Sequence, residues 1–173
     1  MKKNILLITS DQHHYSLMGY NNPQLKTPNL DRLAVSGTRF ENFFCVSPVC
    51  SPARASLLTG RIPSQHGVHD WLKLGNIEDP DGQYRGKDRP IEYLQGINGF
   101  TDYLAKDGYT CGLSGKWHLG DSYPYRPEDR HFHEAIWFPS SHLGAVPDYW
   151  QNDYFNDHYF HNGIRKAFEG YTT

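Results

Sequence analysis

The sequence predicts an α/β domain. Two observations carry that expectation. Ile5-Leu6-Leu7-Ile8 is a continuous apolar run, the pattern of a strand covered on both faces. Along the rest of the chain the signals run strand, helix, strand, helix, helix, strand, the order from which helices pack onto a sheet. Asn162-Gly163, between Tyr159-Phe160 and Ile164, adds a hairpin near the end of the chain.

The elements follow in order. Asn4 to Ser10 reads as a short buried strand that stops at Asp11-Gln12-His13-His14. Polar residues at the C-terminal end of such a strand are where open α/β sheets place ligands; for Asp11 alone, a solvated loop acid is the simpler account. Thr27-Pro28 opens a helix by the cap-then-proline rule, with Leu30, Leu33 and Ala34 as its apolar face and Gly37 at its end. Arg39 to Val46 reads as a strand, with Phe40, Phe43, Phe44 and Val46 as core candidates. Ser51-Pro52 opens a second helix, anchored by Leu57 and Leu58 and stopped by Gly60. His66 and His69 flank Gly67-Val68 and either line a site or are ordinary hydrogen-bonded residues. Gly75 to Pro90, rich in Gly, Asp, Pro and Arg, reads as a long surface loop. A helix over Phe100 to Lys106 buries Leu104 and Ala105 and ends at Gly108. Tyr109 to Leu113 is then a strand running into Ser114-Gly115-Lys116-Trp117-His118-Leu119-Gly120. Asp121 to Asp153 shows no periodicity. Its tryptophans, tyrosines and histidines, His142 among them, fit either a self-packed loop or a surface that recognises sugar-like or apolar ligands.

Composition narrows the function classes. The net charge is -2 over 173 residues, which argues against an extended nucleic-acid surface. Cys45, Cys50 and Cys111 make neither a zinc pattern nor a disulfide framework. No apolar run is long enough to cross a membrane, and Ile5 to Ile8 is too short for a signal-peptide core. The expected location is the cytoplasm.

Two stretches carry chemistry. Cys50 precedes the Ser51-Pro52 helix start, where backbone N–H groups and the helix dipole favour negative charge. Arg54, in the first turn, sits at the wrong end for the dipole, so a reactive group or anion beside it is the better reason for its presence. Three residues separate Cys50 from Arg54, against the five of a tyrosine phosphatase loop. A buried inert cysteine explains neither the proline-flanked start nor Arg54. In the second stretch, extended backbone would point Lys116 and His118 to the same side, between glycines that let a ligand approach.

Cys50-Ser51-Pro52-Ala53-Arg54 resembles the sulfatase signature Cys-x-Pro-x-Arg, and Leu58-Thr59-Gly60-Arg61 continues it. The strand ending in Asp11-Gln12, the helix Thr27-Pro28-Asn29-Leu30-Asp31-Arg32-Leu33 and Gly115-Lys116-Trp117-His118-Leu119-Gly120 agree in order and kind. The resemblance implies an alkaline-phosphatase-like sandwich with a central mixed, largely parallel sheet flanked by helices. Residues 1–173 would form the N-terminal part of its catalytic domain.

It also implies a sulfuric ester hydrolase. Cys50 would be converted by a formylglycine-generating maturation enzyme to formylglycine, held as a hydrate. One hydroxyl would attack sulfur, and the second would expel sulfate, splitting one hard step into two. A divalent cation, usually calcium, would bind the sulfate and the modified Cys50, with Asp11 as its first carboxylate ligand. Gln12 stands where many members have a second Asp; its carbonyl is still a hard oxygen donor. Arg54 resembles the residue that steadies the formylglycine, Lys116 a sulfate-binding cation, and His118 the imidazole that hydrogen-bonds the hydrate. The implied substrate is a small-molecule or carbohydrate sulfate ester. A phosphonate monoester or phosphodiester hydrolase would use the same centre, and a non-catalytic remnant would bind an anion there. The later metal-ligand pair, second Lys and second His of longer family members have no convincing match after His118.

Overall fold

The computed structural model describes residues 2–72, 94–121, 123–138 and 152–171. The expected Gly75–Pro90 loop and His142 lie outside those residues. The chain divides into two compact units, Met1–Phe44 and Cys45–Thr173.

In the first unit, α1 spans Pro28–Ser36, starting at the proline as expected and ending where the Gly37 N–H donates to the Leu33 carbonyl at 2.9 Å. Thr27 does not cap it with its side chain. Its hydroxyl accepts from the Gly19 N–H at 2.7 Å and donates to Asp31 Oδ1 at 2.8 Å, and Asp31 also accepts from the Tyr20 N–H at 3.1 Å. This polar knot holds the turn before the helix against its first turn. The apolar face expected on α1 is not buried, and the helix has no buried residue.

Both strands expected before Ser47 are corrected by the structure. Residues 4–10 and 39–46 have no strand, and their apolar side chains are exposed, Leu6 at 85% and Phe43 at 82%. A strand is stabilised by a ladder and by cross-strand side-chain pairs, not by apolar content alone. Among the described residues no partner strand pairs with either segment.

The second unit carries the core. Its elements are α2 (Cys50–Thr59), α3 (Pro63–His66), α4 (Phe100–Lys106), β1 (Gly112–Lys116), a 3-10 turn (Pro127–Arg130), β2 (Glu134–Phe138), β3 (His158–His161) and β4 (Ile164–Ala167). The four strands form one mixed sheet in the order β1-β2-β3-β4. β1 and β2 run parallel with Gly115 opposite Trp137, and the other two pairs are antiparallel. The strand expected at Tyr109–Leu113 thus starts later and runs on to Lys116.

α4 has the predicted bounds. Its start is fixed by Asp102, whose carboxylate accepts from the Gly99 N–H at 2.7 Å. The Asn162-Gly163 hairpin also forms as predicted: both residues take positive φ, 50° and 75°, as a two-residue hairpin turn requires. Asn162 ties the turn to β2, accepting from the Ala135 N–H at 2.7 Å and donating to Glu134 at 3.0 Å. Hydrogen bonds from His161 and then Asn162 hold the Glu134 carboxyl below the usual carboxylate range.

β2 lies inside the stretch read as without periodicity. It contributes Ala135 and Trp137 to the main cluster, with Val68, Leu58, Ala55, Trp117 and Phe132. Trp137 is 1% exposed and donates its indole N–H to Glu128 at 2.9 Å. The Trp117 ring meets Phe132 edge-on at 5.6 Å, and its N–H donates to the Tyr125 carbonyl at 2.9 Å. Arg130 donates to the Leu94 and Ile97 carbonyls at 2.9 and 3.1 Å, tying the 3-10 turn to the segment before α4. Among the described residues no helix is long and apolar enough to cross a membrane.

Candidate active site

Cys50 is the first residue of α2, two positions earlier than the Ser51-Pro52 reading placed the helix start. Val49 is the N-cap and makes no side-chain cap. The reason for the shift is the use of Ser51, whose hydroxyl accepts from the Leu72 N–H at 3.2 Å instead of capping the helix. Cys50 is partly exposed, and Ser51 and Pro52 behind it are fully buried, so the rim of the helix is anchored while the thiol is accessible. At the other end Gly60 closes α2 in the left-handed conformation. Of the two expected anchors Leu58 is buried and Leu57 is not.

Arg54 lies one turn after Cys50 and so on the same face of α2. Its Nη1 donates to the Lys116 carbonyl at 2.7 Å. Lys116, the last residue of β1, returns the link: its Nζ donates to Cys50 Sγ at 3.2 Å. Residues 62 and 66 positions apart thus close a ring of helix, arginine, strand end and lysine around the thiol. Gly115 precedes Lys116 with φ 118°, a conformation that a side chain would strain, and lets the strand end turn toward α2.

His118 is buried, and its Nε2 lies 3.0 Å from the Leu72 carbonyl. A carbonyl only accepts, so Nε2 carries the proton in this contact. The Trp71 ring meets the imidazole edge-on at 5.6 Å. His118 has φ 57°, so the strand alternation expected to align it with Lys116 ends before it. Tertiary hydrogen bonds, not a shared strand face, set the two side chains.

Of the paired histidines, His66 is buried and His69 exposed. His66 Nδ1 accepts from the Val68 N–H at 3.1 Å, so its Nε2–H donates to Ser56 on α2 at 2.9 Å. Burial and then the neighbouring His69 push its pKa below 6.5. It braces the helix that carries Cys50 and Arg54. The sequence showed neither that brace nor the Ser51–Leu72 contact: the first joins side chains ten positions apart across a turn, and the second runs through a backbone group that residue type does not announce.

Asp11 and Gln12 belong to the first unit, in an exposed turn in which Gln12 takes φ 55°. That is an uncommon conformation for a residue with a side chain. Their carboxylate and amide oxygens are the hard donors that a calcium-like ion takes, but such an ion needs six to eight. Among the described residues no group of three or more His, Cys, Asp or Glu could hold a metal. The donor chemistry fits such a cation, and the donor number does not complete its shell.

The chain matches the Sulfatase family model over residues 3–168. It is 36% identical over 146 residues to N-acetylgalactosamine-6-sulfatase of Homo sapiens, covering 82% of this chain and 26% of that protein. To arylsulfatase A of Bos taurus it is 37% identical over 142 residues, 80% of this chain and 26% of that one. The crystal structure of Ps i-CgsB superposes with a TM-score of 0.80 at 29% identity, over 99% of this chain and 38% of that one. The same protein has been crystallised with k-i-k-neocarrahexaose. The chain therefore spans about a quarter of the length of the curated relatives it matches. Its mixed sheet and flanking helices are part of the alkaline-phosphatase-like fold of those structures. By its sequence and its fold, the chain belongs to the sulfatase family.

Proposed function

We propose that this chain carries the nucleophile-bearing part of a sulfuric ester hydrolase acting on a sulfate monoester. The observation that carries the reading is the Lys116 Nζ to Cys50 Sγ contact at 3.2 Å, closed by Arg54 on the Lys116 carbonyl. A lysine amine on the thiol and an arginine one turn along the same helix face suit an anion far better than they suit a buried structural cysteine.

In this reading Cys50 is a precursor, matured to formylglycine by a separate enzyme. The formylglycine hydrate supplies an oxygen nucleophile and a second hydroxyl that later releases sulfate. Lys116 holds negative charge at the tip of the residue-50 side chain. Arg54 fixes the strand end from which Lys116 reaches, so the ammonium is aimed before substrate arrives. His118 supplies a ring nitrogen for proton transfer. Asp11 and Gln12 would supply oxygens to a divalent cation such as calcium, which would offset charge on the sulfate. The relatives' names and the carbohydrate complex support a sugar sulfate as substrate class.

Two measurements test the proposal. Co-expression with a formylglycine-generating enzyme, followed by mass spectrometry of the Cys50 peptide, should show conversion of the thiol to the aldehyde. A peptide that stays wholly thiol contradicts the nucleophile assignment. Parallel assays on an aryl sulfate and an aryl phosphonate should favour the sulfate, and Cys50→Ala should abolish turnover. A preference for the phosphonate would reassign the enzyme within the superfamily.

A further inference from the structure

We infer that Ser51, Leu72 and Trp71 form a positioning strap that sets which ring nitrogen of His118 carries the proton and ties that choice to the helix start at Cys50. The inference deepens the proposed function and rests on it for the role of His118.

Leu72 is clamped on both sides. Its N–H donates to the Ser51 hydroxyl at 3.2 Å, and its carbonyl accepts from His118 Nε2 at 3.0 Å. Ser51 adjoins Cys50, so one backbone residue bridges the nucleophile position and the imidazole. Ser51, Leu72 and His118 are all buried, Ser51 at 0% exposure. In a water-poor setting each contact is electrostatically stronger than it would be at the surface, and leaving one unmade costs more. The Trp71 ring, nearly perpendicular to the imidazole with the two centroids 5.6 Å apart, limits rotation of the imidazole about its Cβ–Cγ bond.

The chemical consequence follows from the acceptor. A carbonyl oxygen cannot donate, so the Leu72 contact is made only with the proton on Nε2. In the neutral ring Nδ1 then holds the lone pair, which makes it the nitrogen able to take a proton. Histidines in catalytic sites are commonly set in this way by the hydrogen bond at the second nitrogen. Here the partner is a main-chain carbonyl and not a carboxylate. It adds no negative charge to a site built for an anion. The hydroxyl of Ser51 holds the Leu72 backbone in place from the other side, so its removal loosens the carbonyl without touching His118.

The test is the tautomer itself, read by two-bond 1H–15N correlation in protein labelled at histidine, at a pH of about 8.5, where an ordinary imidazole is neutral. Wild-type protein should show His118 protonated at Nε2. In Ser51→Ala the ratio of Nε2–H to Nδ1–H should fall by about fivefold, the scale of one weakened neutral hydrogen bond. His133, whose Nδ1 accepts from the Cys111 N–H at 3.0 Å, serves as the internal reference and should not change. Should Ser51→Ala fail to fold, Trp71→Ala changes no residue of α2 and should move the ratio in the same direction. A proton on Nδ1 in the wild type overturns the inference, as does an unchanged ratio in the folded variants. No substrate enters the measurement, so it stands or falls separately from the sulfatase assays.

Discussion

The two units of the chain contain similar side chains and use them differently. In the second, Trp137, Val68, Leu58 and Phe132 are buried against one another. In the first, Ile5, Leu6, Leu7, Ile8, Phe40, Phe43 and Phe44 are exposed, and order comes from the Thr27–Asp31–Gly19 knot and short turns. The difference lies in the backbone. β2 finds a parallel partner in β1 and an antiparallel one in β3, which satisfies its polar groups and lets its apolar faces pack. Residues 4–10 have the more strand-like sequence and, among the described residues, no ladder.

The comparison predicts where substitutions will hurt. Trp137→Ala should cost about 3–5 kcal/mol, the range for removing a buried aromatic, and it also removes the indole hydrogen bond to Glu128. Urea unfolding followed by near-ultraviolet circular dichroism measures it. A loss near that of an exposed residue would show that the cluster is less coherent than its burial indicates.

At the site, Lys116→Met should lower sulfate-ester turnover by about 10²–10³-fold, the effect of removing one charge-stabilising group, with little change in unfolding midpoint because Lys116 is partly exposed. A kinetic loss without a stability loss would separate the Cys50 ring from the core around Trp137. Equal losses in both would mean that the lysine chiefly holds the strand end.

How much of this was legible depends on the range of the interaction. α4, the Asn162-Gly163 hairpin and the proline start of α1 are specified by neighbours in sequence, and each appears with the expected bounds. The Cys50–Arg54 spacing was legible because one helical turn relates the two. Residues 4–10 misled because continuous apolar character describes a strand's destination and says nothing about its partner. β2 was overlooked inside a long irregular stretch, although Ala135-Ile136-Trp137-Phe138 is itself a continuous apolar run. Lys116 and His118 were paired in the sequence by a shared strand face, which the structure does not have because His118 leaves the strand with φ 57°. The Leu72 carbonyl and N–H left no trace, since any residue but proline at position 72 supplies both.

A smaller effect concerns His66 and pH. Its folded pKa is depressed below 6.5 by burial, so the unfolded chain is the form that takes up the proton first. Stability is complete above that value and falls as pH drops toward the lowered folded pKa. Protonation would also place a hydrogen on Nδ1, which now accepts from Val68. Denaturant midpoints of the second unit should therefore decline below about pH 6.5, and His66→Asn should remove that part of the slope while lowering the midpoint throughout. A midpoint in the wild type that stays flat over this range would contradict the direction of the shift.

The smallest expected effect is the sharpest probe of the first unit. Leu6→Ser replaces a side chain that is 85% exposed, so folding returns little of its apolar area from water, and the change in unfolding free energy should stay within about 0.5 kcal/mol. The same replacement at Leu58, 4% exposed, should cost several times as much, about 3 kcal/mol or more, because a cavity and an unpaired hydroxyl would both be left in the cluster. Binding of an apolar dye to the native protein supplies the second readout: it should fall in Leu6→Ser, which removes exposed apolar surface, and not in Leu58→Ser. If Leu6→Ser instead destabilised the chain as strongly as Leu58→Ser, residues 4–10 would be buried in solution after all, and the strand that their sequence spells out would be the better description.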